Sequence, residues 1–250
     1  STPLVLAAIG ELVVEKSGVL NLGVEGMMII GAVTSFIVTY ETGSHFLGLI
    51  AAVISAGLVA SLFGLLTQYL LSNQVATGLA LTLFGLGLAS LIGQTYSGIS
   101  LDAFPVFDVY LLTEIPIIGS LLFNFDYLIY LSIIIVVSVY YFLNKTKLGL
   151  VLTAIGDSHD SAHSLGYSVK MVRLFAIIFG GSCAGLGGAY LSLVQTPMWV
   201  ENMTAGRGWI ALAIVVFAVW RPLWILVGAY IFGGITTVSY THLTLPTIGC

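Results

Sequence analysis

Long apolar runs, each near the length of a bilayer crossing, alternate along this chain with short polar seams. Leu22–Tyr40, Phe46–Leu71, Val75–Thr95, Tyr127–Leu143 and Arg173–Val194 are the continuous ones. A hydrocarbon core takes about 20 residues of helix, so these runs predict transmembrane helices. Shorter apolar stretches at Pro3–Val14, Gly208–Trp220 and Pro222–Thr236 predict further helices, the first and last of them incomplete. The seams differ in character. Tyr96–Phe125 is a mixed loop holding Pro105, Pro116, Asp102, Asp108 and Glu114, with Asp126 just beyond. Asn144–Val172 is the one long polar stretch, and Gln195–Arg207 is a loop. Membrane strands would alternate polar and apolar residues in short segments; these runs do not.

Composition strengthens the same reading. The chain is 58% hydrophobic and 7% charged, where soluble domains carry roughly 25% charged residues. No Asp, Glu, Lys or Arg lies between Glu41 and Asp102, or between Arg173 and Glu201. Apolar runs continue to the end, unlike a signal peptide followed by a soluble domain. The fold class expected is all-α, a polytopic integral membrane helix bundle. Lys and Arg favour the cytoplasmic side. Alternate threading puts Lys16, Lys145, Lys147, Lys170, Arg173 and Arg221 there and leaves Arg207 opposite. The acidic Tyr96–Phe125 loop then faces out. No basic patch with interleaved aromatics points to nucleic acid, and the two cysteines suggest no disulfide.

Ser17–Ala32, SGVLNLGVEGMMIIGA, sets Asn21 and Glu25 among Gly18, Gly23, Gly26 and Gly31 at the entry to an apolar run. Glycines allow left-handed turns and close backbone approach. Irregular backbone at membrane depth survives only where protein buries it or where it lines a wet cavity. The stretch therefore predicts a broken helix pair. Two roles stand open for Asn21 and Glu25: satisfying backbone groups freed by the break, or lining and gating a path, since intramembrane ionisable residues default to function. Gly23 and Gly26 belong to the same candidate gate.

Asn144–Arg173 is too polar to cross a bilayer. Its apolar spacing predicts two short amphipathic helices joined near Gly156 on the inner membrane face, suited to docking in a partner's groove. HDSAH, His159–His163, has the i, i+4 spacing of a zinc site, but Asp160 reaches less far than a glutamate and no third ligand is evident. Exposed histidines are the better reading, and no metal or cofactor site is expected. No G-x-x-x-x-G-K-[ST] motif appears. Small residues fill Phe179–Tyr190, with Gly181 and Gly185 as GxxxG and Gly188 on a second ridge. They predict close helix packing, within the chain or between subunits.

Two of these stretches together resemble one family. GVLNLGVEGMMIIGA and TKLGLVLTAIGDSHDSAHSLGYSVKMVRLFA are similar to the signature and the cytoplasmic coupling loop of permease subunits of bacterial ATP-driven (ABC) importers. The branch is the one for nucleosides and simple sugars, related to the branched-chain amino-acid permeases. GRGWIALAIVVFAVWRP, Gly206–Pro222, resembles a third block. The resemblance implies a multi-pass protein of the bacterial cytoplasmic membrane, not itself an enzyme. Implied partners are ABC ATPase subunits, a second permease subunit of a different chain and an extracytoplasmic solute-binding protein. Gly156, Asp157, Ala162, Leu165 and Gly166 would serve ATPase coupling. The implied cargo is a small polar solute, nucleoside first, simple sugar second, branched-chain amino acid third. An ion-gradient carrier is the alternative, with an internal repeat carrying broken helices in both halves as its mark; a broken element is evident only near the start.

Two departures qualify the likeness. Ser158-His159 lacks the family's proline, and Ala218-Val219 stands where a Gly-Arg pair is common. Residues 1–237 read as one permease domain cut short. Val238–Cys250 resembles a translated sequencing adapter and reads as a non-native tail.

Overall fold

A computed structural model describes residues 1–102, 104–105, 126–158 and 166–243, with side chains as far as 236. It is helical, and five of its helices are long and apolar enough to cross a membrane. In chain order the helices are α1 (Thr2–Lys16), α2 (Val24–Thr42), α3 (His45–Gly64), α4 (Gln74–Gly93), α5 (Tyr127–Lys145), α6 (Lys147–Asp157), α7 (Val169–Tyr190), α8 (Arg207–Phe217) and α9 (Pro222–Leu243). π-turns extend α3 through Leu65–Tyr69 and α7 through Leu191–Gln195.

Local chemistry sets the ends. Ser44 caps α3 by accepting from the Leu47 amide, and Asn73 caps α4 by accepting from Ala76 at 3.0 Å. Thr146 ends α5 and caps α6, its hydroxyl accepting from Gly149 N at 3.1 Å. Such caps satisfy amides that have no partner inside the helix. Gly43, at φ 68°, closes α2 in the left-handed conformation, which glycine adopts without strain.

α7 is the centre, packed by α1, α2 and α3. A Cβ on Gly31 of α2 would overlap the backbone of Gly185 of α7, and one on Gly188 would overlap the Met28 carbonyl. Gly181 and Gly185 also lie on Ala60, Ala56 and Ala52 of α3, while Gly180 lies on Val14 and Gly10 of α1. Close backbone approach replaces the hydrophobic drive that lipid cannot supply. Leu58 and Leu62 of α3 and Leu83 and Leu91 of α4 are exposed. In a bilayer that exposure is lipid contact.

One expectation changes. The span predicted from Arg173 begins at Val169, so Val169 and Lys170 belong to α7 rather than to a second loop helix. α6 ends at Asp157, beside the join expected near Gly156. Leu148 and Leu150 are exposed while Gly149, Leu152 and Ile155 are buried, so α6 has one seated face. α9 passes Thr237 without a break. Ala162 and Leu165, like His159 and His163, lie outside the described residues, as does most of the Tyr96–Phe125 loop.

Candidate functional site

The chain between α1 and α2 turns back into the bundle. At Ser17 the hydroxyl donates to the Val14 carbonyl at 2.6 Å, while its own carbonyl accepts from Arg173 Nε at 2.9 Å. Gly18 takes φ 81° beside Gly156 of α6, a close approach no side chain would permit. Leu20 N then donates to Gln74 Oε1 at 2.9 Å. Asn21, fully buried, donates through its backbone N to Glu11 Oε1 at 3.2 Å and through Nδ2 to Glu11 Oε2 at 3.4 Å. Its Oδ1 accepts from Gly23 N at 3.0 Å. Thr82 Oγ1 donates to the Leu22 carbonyl at 3.0 Å. Protein groups thus take up the polar backbone of the break, as a water-poor setting demands.

α2 consequently starts inside the bundle. Gly23 lies on Gly78 of α4, and Gly26 lies on Leu81, Thr82 and Gly85. Those residues stand about 6–17 Å along α4 from its first residue, Gln74, at about 1.5 Å per residue. Gly23 and Gly26 are there for closeness: Gly23 has an ordinary φ of −79°.

Glu25 does not serve the break in which it sits. Its Oε1 accepts from Thr204 Oγ1 at 2.5 Å and from Gly206 N at 2.8 Å, and its Oε2 accepts from Gly208 N at 2.6 Å. Gly206 lies 181 residues further along the chain. The carboxylate caps the start of α8 while standing in the first turn of α2. Two helix N-termini, each with partial positive charge, meet on one anion that is 2% exposed. The amides free at a helix start make it an anion site.

The segment that delivers α8 re-enters from the opposite end. Leu101 N donates to the Pro197 carbonyl at 2.8 Å, and isolated bridges join Ser97 to Trp199 and Ser100 to Met198. Trp199, buried, fills the space above Gly93. Asn202 and Ala205 hold positive φ on the way down. Arg207, placed on the outer side by alternate threading, sits instead at this sunken helix start, half-buried, its Nη1 donating to the Met203 carbonyl at 2.6 Å. α8 then leads back to Trp220, whose Nε1 donates to Glu15 of α1. Leu20, Ala205 and Trp209 are exposed, and Trp209 Nε1 donates to the Leu22 carbonyl at 3.4 Å.

Of the residues marked in the sequence, Asn21, Gly23, Glu25 and Gly26 come together here. Gly156 lies against the Lys16 carbonyl and Asp157 closes α6. Gly166, at φ 83°, makes a turn before α7. Gly181, Gly185 and Gly188 lie in the helix core, facing α2 and α3. Sequence reasoning left out Thr204, Gly206 and Gly208, and it set Glu11 with Glu15 and Glu25 among the few acids near the first helices without naming a partner for it. Glu11 carried a signal, an acid inside an apolar run. The G-R-G at 206–208 carried one in its two glycines: Gly206 holds φ 81°, and at Gly208 a Cβ would meet the Glu25 backbone.

Comparison with known proteins gives a consistent result. The family model described as branched-chain amino acid transport system / permease component matches residues 1–247. The putative glucose ABC transporter permease protein TsgC13 of Haloferax volcanii is 43% identical over 238 residues, covering 93% of this chain and 72% of that protein. The nucleoside ABC transporter permease protein NupC of Lactococcus lactis is 29% identical, covering 99% and 82%. The guanosine ABC transporter permease protein NupQ of Bacillus subtilis is 29% identical, covering 98% and 81%. No solved structure matches the chain.

Proposed function

The chain belongs to the branched-chain amino acid transport system / permease component family, and from that premise we propose that the meeting of α2 and α8 forms one wall of the translocation path. The protein is a multi-pass membrane permease subunit of an ABC importer. One observation carries the proposal: a buried carboxylate joins the starts of two helices that begin within the bundle. Broken helices at membrane depth are tolerated beside a cavity or inside protein, and in transporters their ends surround the solute. Glu25 and Asn21 hold this wall in shape. The exposed face of Trp209 and the half-buried Arg207 supply its contact surface. An indole face suits a sugar ring or a nucleobase, which present flat apolar surfaces edged by polar groups.

The cargo class is a neutral polar solute. The 43% identity to the putative glucose permease TsgC13 favours a simple sugar, and the nucleoside relatives at 29% support a nucleoside next. ATP hydrolysis belongs to partner ATPases, which α6 and the segment following it would engage. A solute-binding protein delivers the cargo, and a second, different permease completes the path.

The test is uptake by the complex reconstituted with its ATPase and binding protein, supplied with labelled glucose or guanosine. ATP-dependent uptake of one of them is expected. Trp209→Ala should raise KM several-fold while assembly is unchanged. Uptake that follows an ion gradient and ignores ATP would overturn the importer reading. Normal KM in the Trp209 variant would remove Trp209 from the path.

A further inference from the structure

At the end of the bundle that carries Lys16, Lys145 and Lys147, a cleft of about 610 Å³ opens between α1, α5, α6 and the turn joining α8 to α9. Lys16 and Arg221 line it, with Asn144 and Thr153 as neutral polar groups and Tyr140 and Trp224 as rings. Among the described residues, no ion pair or side-chain hydrogen bond engages Lys16 or Arg221. The charge is not cancelled from within the wall. Glu15, next to Lys16, has its carboxylate on the indole of Trp220, and Asp157 is exposed at the far end of α6.

The backbone that presents Arg221 is strained. Val219 and Trp220 both hold φ 50°, a region that non-glycine residues seldom occupy and that β-branched residues avoid. Turn bonds fix them there: Val219 N to the Val216 carbonyl at 3.0 Å, Trp220 N to the Val215 carbonyl at 3.3 Å and Arg221 N to the Ala218 carbonyl at 3.0 Å. This turn includes the Ala218-Val219 pair that departs from the family pattern. Such strain collects where a structure holds a ligand.

We propose that the cleft binds the phosphate-bearing headgroup of an anionic phospholipid. Two free cations and neutral donors match a phosphate oxyanion. A dissolved phosphate would satisfy the same groups, but the rest of the lining favours lipid. Tyr140, Trp220 and Trp224 are residues of the membrane–water boundary, and the exposed Leu150 and Leu223 give the cleft an apolar margin for acyl chains. Basic pockets between membrane helices bind acidic headgroups in this way. The site stands on the cleft alone and does not depend on the cargo or on coupling to an ATPase.

The test uses the full chain in vesicles containing brominated phosphatidylglycerol or brominated phosphatidylcholine, with quenching of tryptophan fluorescence as the readout. Trp220 and Trp224 report on the cleft. Half-quenching should require about tenfold less of the anionic lipid, since each basic residue near a membrane surface adds measurably to its attraction. Joint Lys16→Gln and Arg221→Gln substitution should abolish that preference, whereas Lys16→Arg with Arg221→Lys should keep it. Native mass spectrometry of the unaltered chain, which needs no variant, should show retained phosphatidylglycerol in preference to phosphatidylcholine. Equal quenching and equal retention of the two lipids would overturn the proposal. So would inorganic phosphate that displaces the anionic lipid and stabilises the detergent-solubilised chain as well as the lipid does, because the site would then serve a soluble anion.

Discussion

Replacing Glu25 by glutamine removes one acceptor oxygen and one negative charge from the point where α2 and α8 begin. The carboxylate accepts from Thr204 Oγ1, Gly206 N and Gly208 N. All three donors are fixed by the turn that starts α8, and the carboxylate is 2% exposed. A glutamine oxygen can serve the donors on one side only. Its amide group then faces at least one backbone N–H that water cannot reach. An orphaned buried donor costs about 1–3 kcal/mol. Loss of charge at a helix N-terminus adds about 0.3–1 kcal/mol, more where the site is partly buried. The sum is about 1.3–4 kcal/mol, and each kcal/mol lowers Tm by about 2–4 °C in a chain of this size. Thermal unfolding of the purified chain, followed by tryptophan fluorescence, should therefore show a fall of about 3–16 °C. Glu25→Ala, which loses every acceptor, should fall further. ATP-driven uptake should decline in step with the folded fraction. An unchanged Tm with abolished uptake would refute the capping argument and make the charge itself part of transport.

Three further outcomes are expected. Gly31→Ala puts a Cβ into the Gly185 backbone, so α2 and α7 must separate; the variant should lose about 2 kcal/mol or more, in line with overpacked cores, seen as a lower Tm. Gly156→Ala presses on the Lys16 carbonyl and lifts α6 from α1; ATP hydrolysis by the assembled complex should continue with uptake reduced several-fold, and normal uptake would remove α6 from coupling. Arg173→Met deprives the Ser17 carbonyl of its donor, which should cost about 1–3 kcal/mol and expose the α1–α2 turn to faster amide hydrogen exchange there than in α7.

Hydropathy along the chain was enough to determine that this is a bundle of membrane helices, and where most of them run. Burial in lipid is a local requirement: each span must itself be apolar and about 20 residues long. Leu22–Tyr40 and Tyr127–Leu143 match α2 and α5 to within a few residues for that reason. The break at Ser17–Gly23 was also legible, because glycines beside Asn21 and Glu25 in an apolar run leave few other options. The partners of those residues were not legible. Asn21 turned toward Glu11 and Glu25 toward Gly206 and Gly208, and no spacing rule links positions 181 residues apart. Arg207 was misplaced for a related reason, since alternate threading assumes that each segment crosses fully, while the segment before α8 turns back within the helix bundle. Only the tertiary structure decides such matters. Which polar groups meet depends on how closely Gly26, Gly31 and Gly185 let the helices approach, and that distance belongs to pairs of helices, not to any one stretch of sequence.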